Sequence, residues 1–114
     1  MPKVTVRIAW PAGARLPDEA HARVTVEDVT VLDAPAVVVG ETVIDDLDPD
    51  RPAQCEVEVD EVDAGADLIV RVHVADRSRA DRQVEVGDLL STESHPVLTR
   101  GHGDSVLVRP QQIG

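Results

Sequence analysis

Leu68-Ile69-Val70-Arg71-Val72-His73-Val74 decides the fold class. Leu68, Val70, Val72 and Val74 share one parity, and Ile69, Arg71 and His73 share the other. A period of two puts alternate side chains on opposite faces of a strand, whereas an amphipathic helix repeats every three or four residues. The same signature recurs on both sides. Val4, Val6, Ile8 and Trp10 alternate with Thr5, Arg7 and Ala9 until Pro11-Ala12-Gly13 ends the run. Cys55, Val57 and Val59 alternate with Gln54, Glu56 and Glu58, a strand with an acidic outer face. Val106 and Val108 share a face in the closing run from Ser105 to Arg109.

Three further runs are less regular. From Ala22 to Leu32, Val24 and Val26 have one parity and Val29 and Val31 the other, so the slip at Glu27-Asp28 predicts a β-bulge or a bend. Ala36 to Ile44 holds Val37, Val38 and Val39 in a row, which predicts burial on both faces or a second bulge. Val84 and Val86 open a sixth strand that extends past Gly87 to Leu90. Asp45–Pro52, Asp60–Asp67 and Asp76–Arg82 are polar connections, and His95–Gly103 is a loop ending in turn residues. About seven short strands without a convincing helix predict an all-β fold, an antiparallel β-sandwich of immunoglobulin- or transthyretin-like appearance. No linker or repeat divides residues 1–114, so one domain is expected.

Composition narrows the function. The chain has 114 residues, 21 of them Val, with one Trp and no Tyr or Phe; 22 acidic against 11 basic side chains give a net charge of −11. Nucleic-acid binding draws on clustered cations and stacking rings, and this sequence offers neither. Acids on outer strand positions and in loops discourage edge-to-edge aggregation of a valine-rich β protein. A lone Cys55 forms no intrachain disulfide. No apolar run is long enough to span a membrane. Taken as it stands, without a leader or lipidation motif, the sequence predicts a cytoplasmic chain, monomeric or weakly oligomeric.

Catalytic and metal signatures are sparse. Cys55 lies on the apolar parity of its strand, where a thiol packs as a small hydrophobe. Ser91, Ser94 and Ser105 lie near His95 and His102, but no strand–turn–helix elbow surrounds a serine. Asp46-Leu47-Asp48-Pro49-Asp50 resembles the first half of a calcium loop, with Arg51 where the sharp turn needs glycine and Val57 where a bidentate Glu belongs. His102 and Asp104 could supply two metal ligands, and two do not make a site. No catalytic, cofactor or metal residues are therefore assigned. A small-molecule or divalent-metal-binding sandwich is the alternative to a protein-binding one. Trp10 suits a sheet-end plug whose N–H finds a carbonyl, or a contact anchor.

Several segments carry a resemblance. Leu16-Pro17 with Ala20 precedes Val24–Val31, then Asp33-Ala34-Pro35; Leu68–Val74 precedes a charged turn; and the closing loop reads His95-Pro96-Val97-Leu98-Thr99-Arg100-Gly101. This order, from about Val4 to Arg109, resembles the YbaY-like or YscW-type lipoprotein domain family. The resemblance implies a compact antiparallel β-sandwich and no enzymatic activity. It implies a place among small bacterial envelope lipoproteins, and hence a periplasmic or outer-membrane location if the native chain begins upstream of Met1. One branch comprises pilotins, chaperones that help type III secretion secretins reach and assemble in the outer membrane. The sequence departs from the family in lacking the lipid-modified Cys, since Cys55 lies mid-chain, and in having aliphatic residues at Leu68 and Val84 where aromatics are common. The expected function is binding or chaperone-like, with a protein partner and no cofactor. The expected interaction surface comprises Trp10, Pro96, Val97, Leu98, Arg100 and His102. For Val97 and Leu98, plugging the sandwich is the structural alternative.

Overall fold

The computed structural model describes residues 2–17, 19–31, 33–61, 63–76, 84 and 86–113. Its strands in chain order are β1 (Lys3–Ile8), β2 (Ala20–Asp28), β3 (Val37–Ile44), β4 (Ala53–Glu58), β5 (Leu68–Asp76), β6 (Leu89–Leu90), β7 (His95–Pro96), β8 (Ser105–Val108) and β9 (Gln111–Gln112). None of the described residues is helical. One sheet has the order β4-β1-β8; the other runs β3-β2-β5-β6-β9, with β7 also on β5. Alternation supplies the core. Val4, Val6 and Ile8 of β1, Val57 of β4 and Val108 of β8 face Ala22, Val24 and Val26 of β2 and Leu68, Val70, Val72 and Val74 of β5, all buried. Fully burying an aliphatic side chain of this size contributes about 1.5–3 kcal/mol, so such a core can hold without rings or disulfides. The fold is the all-β sandwich that the periodicity predicts, with two further two-residue strands, β7 and β9, and an expected sixth strand shortened to the two residues of β6.

The irregular runs resolve differently from one another. A register shift lies between Val26 and Glu27: Val26 pairs with Gly40 and Glu27 with Val38, so Val39 of β3 is the extra residue. The slip in β2 and the triple valine in β3 thus meet in one bulge. Burial of β3 on both faces does not occur, because β3 is an outer strand of its sheet and leaves Val37 61% and Val38 43% exposed. β2 stops at Asp28 rather than Leu32. The Asp28 carboxylate accepts the Thr30 N–H (2.9 Å) and the Thr30 hydroxyl, a side-chain turn that leaves Val29 and Val31 outside the strand. Val84 and Val86 are also exposed and outside any strand; Gly87, at φ 95°, turns the chain, and β6 begins only at Leu89. Residues 77–83, most of the expected charged turn, lie outside the described residues.

Two features set the shape of the sandwich. β8 pairs with β1 in parallel, the exception among otherwise antiparallel ladders. On the opposite side, the outer strands of the two sheets meet: Asp60 N–H donates to Val39 O (2.9 Å) and the Thr42 hydroxyl to Glu56 O (2.9 Å). Gly40 makes this possible, since a Cβ there would lie 2.5 Å from Glu58 O.

Candidate functional site in the 95–103 loop

The loop from His95 to Gly103 closes one end of the larger sheet. β7 opens it by pairing Pro96 with Ile69 and His95 with Val70. Val97 then turns inward, fully buried, and its N–H donates to Leu68 O (3.1 Å). Beyond it the backbone folds tightly on itself: Leu98 N–H reaches Gly103 O (2.9 Å) and His102 N–H reaches Thr99 O (3.0 Å). Such a turn needs left-handed backbone, found at Leu98 (φ 65°), Arg100 (φ 55°) and Gly101 (φ 84°). Glycine adopts that region freely, whereas a residue with a Cβ costs about 1–2 kcal/mol there. The surroundings hold both. The Thr99 hydroxyl donates to Ala66 O (2.6 Å), Arg100 Nη2 donates to Gly65 O (2.8 Å), and Arg100 Nε pairs with the Asp67 carboxylate at 2.6 Å. The loop is clamped to the segment that leads into β5.

Beside the clamp lies a hollow of about 270 Å³, with Val29, Ile69, Pro96, Thr99, Arg100 and His102 among its lining residues. A larger hollow of about 790 Å³ opens beyond it, where Asp28, Glu61 and Asp63 approach. The hydrogen bonds from the Thr30 hydroxyl and N–H hold the Asp28 carboxyl below its ordinary value. This end of the molecule combines an apolar floor with an acidic rim.

The expected surface residues separate into three groups. Pro96, Arg100 and His102 are exposed on the loop, and Leu98 is half-buried against the core. Val97 is core and presents no surface. Trp10 stands at the other end of the sandwich: β8 runs parallel to β1, with Ser105 beside Thr5 and Val108 beside Ile8, so the loop and Trp10 lie at opposite poles. The Trp10 indole N–H donates to Arg51 O at 2.8 Å, and the ring packs on the core edge. Of the three side chains that fasten the loop, the sequence singles out Arg100 for this surface but not Thr99 or Asp67. Thr99 sits inside the Pro96–Gly101 run and marked itself only as a β-branched polar residue between turn formers.

The chemistry weighed from the sequence finds no assembled centre among the described residues. Ser94 and His102 line the same hollow with no hydrogen bond between them. Ser91 is structural, its hydroxyl accepting the Val72 N–H at 2.9 Å. The Asp48 carboxylate accepts the Asp50 N–H (2.9 Å), shaping its own turn. No group of three or more His, Cys, Asp and Glu side chains gathers as metal ligands do. Burial pushes the Cys55 thiol up to about 11, leaving it protonated and a poor nucleophile.

Comparison with known proteins agrees with the architecture. A family model described as type III secretion system lipoprotein chaperone (YscW) matches residues 1–109. Among solved structures, an alternative pilotin from the type II secretion system of Vibrio cholerae superimposes with a TM-score of 0.78. It is 19% identical, and the match covers 98% of this chain and 96% of that one. At that identity the likeness establishes the shared fold. A search of curated proteins found no match.

Proposed function

The chain belongs to the YscW family of type III secretion system lipoprotein chaperones, and we propose that it binds a secretin subunit and assists its assembly in the bacterial envelope. The observation that carries this reading is the extent of the family match, residues 1–109, which takes in every strand except β9. No helix among the described residues is long and apolar enough to cross a membrane.

The contact surface we assign is the outer side of the clamped loop, the exposed Pro96, Arg100 and His102 with the half-buried Leu98, over the hollow floored by Val29 and Ile69. A loop held rigid before binding loses little freedom on complex formation, which favours affinity. Trp10, at the far pole, is assigned to sheet-end packing. Calorimetric titration of the purified chain with the secretin subunit of the same bacterium tests this. Leu98→Asp and His102→Glu should each weaken binding by tenfold or more, about 1.4 kcal/mol, as expected for contacts at the centre of an interface. His102 is exposed, so His102→Glu leaves the core intact even if Leu98→Asp loosens it. Wild-type affinity in His102→Glu and in a folded Leu98→Asp would remove the loop from the interface.

A further inference from the structure

The outer edge of β8 lies open. On the far side of the molecule β3 and β4 lie against each other, and β9 is two residues long. β8 ends its sheet, and among the described residues β1 is its only neighbouring strand. Thr5 N–H donates to Asp104 O (2.8 Å) and Ala9 N–H to Val108 O (2.9 Å), so the even-numbered residues of β8 face β1. The backbone N–H and C=O of Ser105, Leu107 and Arg109 therefore point away from the sheet. All three residues are exposed, Leu107 at 45%. An open edge of this kind is a template for another strand.

Charge selects the strand that fits. Arg7 lies opposite Leu107 on β1, and Arg109 follows two residues along β8 on the same face. Both are exposed, and neither has an ion-pair partner among the described residues, in a chain with twice as many acids as bases. β1 already pairs with an acidic strand on its other side, where Glu56 faces Thr5 and Glu58 faces Lys3. We propose that the β8 edge takes up an extended segment of a partner protein as an added antiparallel strand, one whose alternate residues are acidic and meet Arg7 and Arg109. This rests on the reading that the chain binds a protein, but at a surface separate from the 95–103 loop. A second copy pairing antiparallel about Leu107 would set Ser105 opposite Arg109 and so would bring no acidic side chain to it.

The probe is a fluorescein-labelled peptide, Thr-Glu-Val-Glu-Val-Glu-Val-Thr, titrated into the purified chain by anisotropy, with a counterpart bearing Lys at each Glu. The acidic peptide should bind about fivefold or more tighter than the lysine one, the scale of one or two cross-strand charge pairs. Arg109→Glu should narrow or reverse that preference. Leu107→Pro removes an outward N–H and the exposed side chain without taking a bond from the β1–β8 ladder, a substitution edge strands tolerate. It should weaken peptide binding by about tenfold, as expected for lost backbone hydrogen bonding and apolar contact. Ser105→Pro repeats the test at a second outward N–H, and circular dichroism and denaturation curves confirm that each variant folds. No binding by either peptide, equal affinity for both, or wild-type affinity in folded Leu107→Pro and Ser105→Pro would overturn the proposal. So would dimerisation of the chain through this edge, abolished by Leu107→Pro. Secretin binding sensitive to His102→Glu would survive such a failure, which separates this proposal from the loop assignment.

Discussion

Cys55 shows how a residue's place in an alternation fixes its chemistry. It shares the apolar parity of β4 with Val57 and packs at the edge of the core. Desolvation raises its thiol to about 11 against an ordinary value of 9.0. Alkylation by iodoacetamide at pH 8 should therefore run on the order of a hundredfold slower than for a free cysteine, and unfolding in guanidinium should restore the rate. An equal rate in the native protein would contradict the burial. The sign of the linked stability follows. Between about 9 and 11 the folded state keeps a proton that the unfolded chain releases, so this contribution is intact below that window and is lost as pH rises through it. Parity made Cys55 legible in advance, along with Trp10 and its carbonyl partner. It could not reveal the Thr99 and Arg100 clamps, because their partners, Ala66, Gly65 and Asp67, lie more than thirty residues away and meet the loop only once β5 has paired.

At the scale of elements, β3 separates what periodicity tells from what it does not. Three valines in succession signal a broken alternation, and the break is real: Val39 is the bulged residue. Which faces a strand buries depends on its neighbours in the sheet, information that local pattern lacks, so the expected double burial of Val37 and Val38 gave way to exposure. Val84 and Val86 alternate as well as Val4 and Val6 do, yet find no partner strand. Direction is equally silent, since side-chain alternation reads the same in a parallel or antiparallel ladder, and the parallel β1–β8 pairing follows only from the topology. Gly40 lies where β3 crowds β4. Gly40→Ala would drive a methyl to 2.5 Å from Glu58 O, a backbone atom with little room to yield. Urea denaturation should show a loss of about 1–3 kcal/mol, the usual cost of overpacking. An unchanged midpoint would mean that the two outer strands do not approach as described.

The whole molecule distributes its −11 charge unevenly. Acids line β4 and the 59–67 connection near the clamped loop, while Arg7 and Arg109 stand beside the open edge of β8. A valine core without rings leaves few rigid aromatic anchors on the surface. On our proposals, recognition falls to a backbone edge, a clamped turn and charge, all features suited to holding another protein. Fold class and family were legible from the alternating valines and the Pro96–Gly101 run; the separation of Trp10 from the loop needed the register of β8 on β1. The chaperone role itself is tested most directly in the native bacterium. Deleting the gene and following the secretin by membrane fractionation and non-denaturing gels should show loss of outer-membrane multimers, restored by the wild-type chain and not by His102→Glu. Wild-type levels of correctly placed multimers in the deletion strain would contradict the account.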